Sequence, residues 1–185
     1  MKNVYFFVDE KGGNPVRQFI ESLPDKEQAK IAAYVSELKI QGHNLRRPLA
    51  DYLGDGIYEL RPKDNRVFYF FFLKDNVVLV HAIRKKTNKI PKEDLALCLR
   101  RKAEVVSLKL LSEWSWEMNK KIKLEKFDHY LQEKLKNPEF HKNYEIEKAK
   151  VAVAQKIAEM RQDSHLRQAD LAKKMHVSQQ FISQI

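Results

Sequence analysis

Three runs of strand-forming residues, separated by short turns, constrain the fold of this chain more than any other feature. The runs cover residues 57–61, 67–73 and 77–83, and polar turn residues separate them at 62–65 and 74–76. Connections this short favour consecutive antiparallel hairpins. The middle run, Phe68-Tyr69-Phe70-Phe71-Phe72, is apolar at every position, which predicts a central strand covered on both faces.

The flanking segments predict helices that pack on this sheet. After a strand at residues 4–8, Asn14 is a suitable N-cap and Pro15 a suitable first helical residue. Apolar residues spaced i, i+3, i+4 and i+7 give this helix one buried face, and a second helix from about Asp25 repeats the spacing and ends at Gly42. A further helix opens at Pro91. The predicted order is β-α-α-β-β-β-α, an α+β domain with an antiparallel sheet.

The character of the sequence changes near residue 110. No strand-like run follows, and helix-forming residues dominate the remainder. We predict helices at residues 124–135, 149–160 and 168–175, and another from residue 177. The expected organisation is a domain at 1–110, a junction at 111–117 and an all-α segment at 118–185.

The charge of the chain favours a polyanionic partner. The formal net charge is +10, and the first 111 residues carry most of the excess, with 21 Lys and Arg against 14 Asp and Glu. No apolar run approaches the roughly 20 residues that span a bilayer, so we expect a cytoplasmic protein without a membrane partner. The single cysteine, Cys98, lies in a helical pattern and is interpreted as a small buried apolar residue.

Basic residues mark the strand ends of the predicted meander. Antiparallel pairing places the start of the middle strand beside the ends of both neighbours, which brings five cations together: Arg61, Arg66, Arg84, Lys85 and Lys86. Cleavage of RNA by its own 2′-hydroxyl needs a clamped phosphate, stabilised charge and two proton transfers, and a cationic cluster can supply these without a metal ion or other cofactor. The alternative is a plain solvated basic surface. His81, in the last strand, is an auxiliary catalytic candidate whose alternative is a buried core residue.

Five blocks of this region resemble a known family in order and spacing. They are residues 56–62, 66–70, 78–83, 85–87 and 90–92, and they resemble the phage-derived HigB branch of the RelE toxin superfamily over about residues 1–107. The resemblance implies a ribosome-dependent mRNA endonuclease, the toxin of a type II toxin–antitoxin pair. Its implied partners are mRNA on the ribosome and a cognate HigA-like antitoxin, in cis or in trans.

The resemblance also implies roles for particular residues. Arg66 matches the arginine that opens the central strand and contacts the scissile phosphate, and Arg61 matches the arginine of Glu-Leu-Arg. Lys85 and Lys86 match the basic pair after the last strand. Predicted RNA contacts complete the set: Arg46, Arg47 and Arg84. Some RelE toxins place a catalytic tyrosine after the basic pair, but none occurs here between Lys86 and Tyr130, which leaves Lys85, Lys86 and His81 as candidate general bases.

The end of the chain resembles the helix-turn-helix of Xre/HigA-type antitoxins. The matching residues are Gln168, Leu171, Ala172, Val177, Ser178, Gln179, Ile182 and Ser183. Operator DNA is the partner that this resemblance implies, and the predicted DNA contacts are Gln168, Ser178, Gln179 and Gln180. The chain stops at Ile185 within the expected recognition helix, so we expect weak autonomous DNA binding, while acids near residues 120–147 could still neutralise a toxin. A small helical bundle without DNA binding is the alternative.

Three functional hypotheses follow for the whole chain. The first is an mRNA-cleaving toxin joined in frame to part of its antitoxin, with its activity masked by that tail. The second is a non-catalytic transcriptional regulator that uses the helix-turn-helix. The third is an inactive, self-neutralised fusion.

Overall fold

The computed structural model describes residues 1–85, 90–114 and 124–179. Within them, six strands form one mixed sheet in the order β2-β3-β4-β5-β1-β6, and six α-helices pack around it, which confirms the predicted α+β class. The elements are β1 (Asn3–Phe7), α1 (Pro15–Glu21), α2 (Asp25–Gln41), β2 (Ala50–Gly54), β3 (Ile57–Leu60), β4 (Asn65–Phe72), β5 (Asn76–Arg84), α3 (Lys92–Trp114), β6 (Leu124–Lys126), α4 (Phe127–Lys134), α5 (Pro138–Asp163) and α6 (Gln168–Lys174).

The predicted antiparallel meander is present. β3 pairs with β4, and β4 pairs with β5, with Glu59 opposite Phe68 and Phe68 opposite His81. Helix ends follow the local signals as well: the Asn14 side chain accepts a hydrogen bond from the Arg17 amide at 2.9 Å. At the other end of the hairpin, Gly42 closes α2 with a φ of 55°, a conformation that costs glycine little.

The prediction of a purely antiparallel sheet was wrong. β1 pairs in parallel with β5, with Val4 opposite Val77. The α1–α2 hairpin carries the chain across one face of the sheet, so the meander starts at the far edge and its last strand returns beside β1 in the same direction. β1 and β5 are about 70 residues apart in the sequence, so the local residue pattern of neither strand indicates that they pair.

Two strands were missed for a related reason. β2 is short and poor in β-branched residues, but β3 offers it a partner edge, with Asp51 opposite Glu59 and Tyr52 opposite Tyr58. β6 covers the start of the segment predicted as helix 124–135, where Leu124 pairs with Phe7 on the outer edge of β1. Unpaired backbone groups on an exposed strand edge are satisfied by such additions.

The sheet separates two apolar cores. One lies between the sheet and the helices α1, α2, α4 and α5, and includes Phe6, Tyr69 and Leu79. The other lies between the sheet and α3, where Phe68 and Phe70 surround Cys98. Cys98 is fully buried, as predicted, and burial raises the pKa of its thiol to about 12.

The C-terminal segment shares the first of these cores. Four of its aromatic residues are buried there with side chains of α2: Phe127, Tyr130, Phe140 and Tyr144. Along the α2–α5 contact, the hydroxyls of Ser36 and Tyr144 are hydrogen-bonded at 2.8 Å. The predicted boundaries at residues 110 and 118 stay a prediction, and much of the junction lies outside the described residues.

Helix α5 includes the helix predicted at 149–160, and α6 occupies the place of the helix predicted at 168–175. The further helix expected from residue 177 lies outside the described residues from residue 180 onward. Over the ranges that the structure describes, no helix is both long and apolar enough to cross a membrane.

Candidate functional site

Four of the predicted site residues lie at one end of the sheet. Arg61 directly follows β3, Arg66 is the second residue of β4, and Arg84 ends β5. The register places Arg66 opposite Ile83 and Asn65 opposite Arg84, and the Lys85 amide donates to the Asp64 carbonyl at 2.6 Å. The fifth predicted cation, Lys86, lies outside the described residues.

Carboxylates join three arginines at this end into one network. Arg47 is hydrogen-bonded to Asp51, whose carboxylate lies 3.8 Å from Arg61. Arg61 lies 3.4 Å from Glu59, and the opposite oxygen of Glu59 lies 3.3 Å from Nε of Arg66. We call these five residues the arginine network. Three guanidinium groups and two carboxylates give it one excess positive charge.

Arg66 is the most deeply placed member of the arginine network. Only 7% of its side chain is exposed, and its Nη1 donates to the backbone carbonyls of Lys63 at 2.9 Å and Asn65 at 2.7 Å. These contacts fix the turn between β3 and β4. In this arrangement Arg66 holds the turn and Glu59, while Arg47 and Arg61 present more of their surface to solvent, with 70% and 30% of their side chains exposed.

Burial perturbs both partners of the central pair. Desolvation lowers the pKa of Arg66 against the favourable field of Glu59. Desolvation also raises the pKa of Glu59, although Arg66 and Arg61 oppose that rise. Each charge therefore depends on the other for its stability inside the protein.

A third acid, Glu27, links the sheet end to α2. Glu27 accepts hydrogen bonds from Arg84 at 2.9 Å and from the side-chain amide of Asn65 at 2.8 Å. The Arg84 side chain is 54% exposed, so this cation borders the solvent beside the turn that Arg66 holds.

His81 lies on the same face of the sheet as Arg66, two register pairs further along β5. Its Nε2 is 2.9 Å from the Asp94 carboxylate, and its ring stacks on Phe68 with centroids 5.8 Å apart. Arg101 of α3 reaches Nδ1 at 3.5 Å and donates to the Val80 carbonyl at 2.7 Å. For His81 to accept a substrate proton at Nε2, its contact with Asp94 must open.

A cleft lies beside the arginine network, at the β2 edge of the sheet. Its volume is about 490 Å³, and its lining includes Arg46, Arg47, Tyr52, Tyr58 and, from α5, Gln162. The sequence interpretation found the two arginines but missed the tyrosines. Their signal is an aromatic residue in each of two neighbouring strands, which is readable only once β2 is known to be a strand.

Another cleft, of about 400 Å³, lies between α2 and α5. Lys30, Tyr34, Glu147 and Lys150 line it together with small apolar residues of α5. Burial and the negative charge of Glu147 raise the pKa of Tyr34 to about 12. Within the described parts of the chain, no group of three or more His, Cys, Asp or Glu side chains is arranged to hold a metal ion.

The predicted DNA contacts lie apart in sequence from this end of the sheet. Gln168 is the first residue of α6, and Ser178 and Gln179 follow that helix. Gln180 lies outside the described residues. The role of these residues in DNA binding stays a prediction.

A known protein family matches the part of the chain that contains the arginine network. The family model described as "Phage derived protein Gp49-like (DUF891)" matches residues 18–103, which include α2, β2 to β5 and the first half of α3. This is a family of RelE/HigB-like toxins. A search of curated proteins gave no match. The resemblance to RelE/HigB-like toxins is therefore confirmed over residues 18–103, whereas the HigA-like resemblance of residues 118–185 stays a prediction.

Proposed function

We propose that residues 1–107 form a ribosome-dependent mRNA endonuclease, the toxin of a type II toxin–antitoxin system, and that residues 118–185 are part of its antitoxin. The observation that carries the proposal is the collection of Arg61, Arg66, Arg84 and Lys85 at one sheet end, inside the range that matches the toxin-like family. The net positive charge of residues 1–111 suits a phosphate backbone.

The proposed reaction is attack of an RNA 2′-oxygen on the adjacent phosphorus. A general base removes the 2′-hydroxyl proton, the bond from phosphorus to the 5′-oxygen breaks, and an acid protonates that oxygen. The products are a 2′,3′-cyclic phosphate and a 5′-hydroxyl. Charge builds on the phosphoryl oxygens in the transition state, where fixed cations stabilise it.

The cations differ in solvent exposure, and we assign their roles accordingly. Arg47, Arg61 and Arg84 reach solvent and are proposed to hold the phosphate. Arg66 is proposed to act through the turn and through Glu59 as a positioning residue. The candidate general bases are Lys85, Lys86 and His81.

The antitoxin half of the proposal is supported by how residues 124–158 dock. Acids of this segment meet cations of the helix hairpin: Glu125 and Glu133 contact Arg17, Asp128 contacts Lys39, and Glu147 contacts Lys30. Buried aromatic residues back these ion pairs. A tail docked this firmly on the α1–α2 hairpin is proposed to mask the toxin in cis.

The test is expression of residues 1–110, of the full chain, and of each with Arg61→Gln and Arg84→Gln combined. We expect residues 1–110 to arrest growth and to yield mRNA cleaved on ribosomes, and the full chain to arrest growth far less. The double substitution should abolish the arrest. Arg100→Gln in residues 1–110 is the matched control, because Arg100 is an exposed arginine of α3 that lies outside the arginine network.

Other outcomes separate the remaining hypotheses. Absence of arrest from both forms, with the short form soluble and folded, contradicts the toxin assignment and favours an inactive fusion. Binding of the operator by the full chain, with no cleavage from either form, favours a transcriptional regulator.

A further inference from the structure

The β2 edge of the sheet carries two neighbouring tyrosines. Tyr52 of β2 and Tyr58 of β3 face each other across the strand pair with ring centroids 4.9 Å apart, and Tyr58 stacks on the buried ring of Tyr69 at 5.4 Å. Among the side chains that the structure describes, Tyr52 is the most exposed aromatic, with 57% of the residue accessible. We call Tyr52 and Tyr58 the tyrosine platform. Its rings are anchored from below, so stacking a ligand on them costs little ordering entropy.

Two arginines lie beside the tyrosine platform. Arg46 and Arg47 line the same 490 Å³ cleft, in which Asp51 is the one acid among the lining residues. Next to Arg46, His43 stacks on Phe71 with centroids 3.5 Å apart. Burial lowers the pKa of His43, and the nearby charges of Lys2 and Arg46 lower it further. Positive charge therefore lies along one side of exposed rings.

Exposed rings beside arginines are the combination that binds single-stranded nucleic acid. Each base has a π-face that stacks on an aromatic side chain without regard to sequence, and the cations neutralise the connecting phosphates. In a duplex the bases stack on each other, so their faces are not available to stack on the tyrosine rings. An acidic peptide would use the arginines but not the tyrosines.

Side chains alternate along β2 and β3, so the tyrosine platform and the Glu59–Arg66 pair lie on opposite faces of the sheet and adjoin around the β2 edge. The Asp51 carboxylate contacts both Arg47, in the cleft, and Arg61, at the sheet end. A strand of RNA whose bases stack at the β2 edge is thereby led towards the cations that are proposed to hold the scissile phosphate. Helix α5 borders the cleft through Gln162, and Tyr52 is exposed to solvent with all the described residues in place.

We infer that the tyrosine platform, with Arg46 and Arg47, is a binding site for unpaired RNA next to the cleavage site, with the bases stacked on Tyr52 and Tyr58. The assignment of RNA, rather than single-stranded DNA, as the ligand rests on the proposed function. Stacking makes this site tolerant of sequence and selective against duplex RNA.

The inference is tested with the full chain and a labelled ten-nucleotide RNA of mixed sequence, without ribosomes, by fluorescence anisotropy. We expect Tyr52→Ala to weaken binding about tenfold, as stacking losses of this kind do, and Tyr52→Phe to bind like the unaltered protein. The control is Leu73→Ala, at a residue of similar exposure in the β4–β5 turn. It should leave the affinity unchanged.

The charge contribution has a matched pair of variants. Arg47→Gln should lower the slope of log affinity against log salt by about one, whereas Arg167→Gln should not, although both arginines are exposed and paired with an aspartate. Circular dichroism of each variant checks that the fold is retained.

Three results would overturn the inference: Tyr52→Ala binding as tightly as the unaltered protein, duplex RNA of the same sequence binding as well as the single strand, or polyglutamate competing on equal terms. Binding as expected, combined with absence of mRNA cleavage on ribosomes by a soluble, folded form of residues 1–110, would refute the proposed function and leave the platform standing. If mRNA is cleaved and Tyr52→Ala changes neither the cleavage nor the RNA affinity, the proposed function stands and the platform is refuted.

Discussion

At the scale of single residues, the arginines at the sheet end differ in what surrounds them. Arg66 is enclosed by Glu59 and two backbone carbonyls, whereas Arg61 is partly open to solvent and shares Asp51 with Arg47. Removing one partner of a buried ion pair leaves the other charge uncompensated, which costs more than losing an exposed pair. Arg66 therefore combines a proposed functional role with a structural one.

This difference predicts unequal losses of stability. Arg66→Ala should lower the free energy of unfolding by about 3–5 kcal/mol. Arg61→Ala should lower it by about 1 kcal/mol or less. Adding Glu59→Gln to Arg66→Ala should restore part of the loss, since it removes the stranded carboxylate. Urea unfolding monitored by circular dichroism measures all four proteins, and equal losses for the two arginine variants would contradict the account.

Function assays must take this loss into account. Loss of toxicity in Arg66→Ala follows from unfolding as readily as from a missing phosphate contact. Substitutions of Arg47, Arg61 and Arg84 probe phosphate binding more directly, because these side chains reach solvent.

At the scale of elements, β6 and α4 both contact the side chain of Arg17 in α1. Arg17 contacts Glu125 of β6 at 2.5 Å, Glu133 of α4 at 2.9 Å and Glu21 of its own helix at 2.9 Å. The Asn14 side chain also donates to Glu125 at 2.7 Å, so the cap of α1 and the edge strand share one acid. The start of the C-terminal segment is thus tied to the first helix by charge.

Reversing that charge should loosen β6. In Arg17→Glu, three carboxylates face a fourth, and we expect the backbone amides of β6 and of the facing edge of β1 to exchange hydrogen at least several-fold faster. Adding Glu125→Arg should slow exchange again. Hydrogen exchange followed by mass spectrometry measures both effects, and Lys148→Glu on the exposed side of α5 is the control. Unchanged exchange in Arg17→Glu would show that backbone pairing alone holds β6.

Some elements are encoded by local sequence, and others depend on a distant partner strand. Asn14, Pro15 and Gly42 mark the ends of α1 and α2 because a cap acts on the backbone a few residues away. Strand β6 falls in a segment whose local pattern is helical, and the edge of β1 overrides that preference. Strand β2 likewise needs the edge of β3.

At the scale of the whole molecule, the α2–α5 contact between the N-terminal and C-terminal parts of the chain includes one buried carboxylate, that of Glu147. Burial pushes the pKa of Glu147 upward, but the hydrogen bond from Lys150 and the ion pair with Lys30 outweigh it and hold the pKa below its ordinary value. A carboxylate with a depressed pKa stabilises the folded state at pH values above its unfolded pKa, about 4.3. That stabilisation is lost as the pH falls through the folded value.

Glu147→Gln should therefore be less stable than the unaltered protein at neutral pH, with the difference shrinking as the pH falls below about 4. Urea midpoints measured between about pH 3 and pH 7 give the comparison. Glu145→Gln, two residues away in the same helix and exposed, is the control and should show little difference at any pH. A stability difference for Glu147→Gln that stays constant across this range would contradict the depressed pKa.

The sequence by itself determined the β3–β4–β5 meander, the ends of the α1–α2 hairpin, the burial of Cys98 and the gathering of cations at one sheet end. Each depends on neighbours within about ten residues: strand periodicity, a cap, a short turn. The tertiary structure decided the parallel pairing of β1 with β5, the added strands β2 and β6, the acids that neutralise the arginines, and the docking of α5 on α2. These depend on which distant segment satisfies an open strand edge or a buried charge, and the local residue pattern carries no record of that partner.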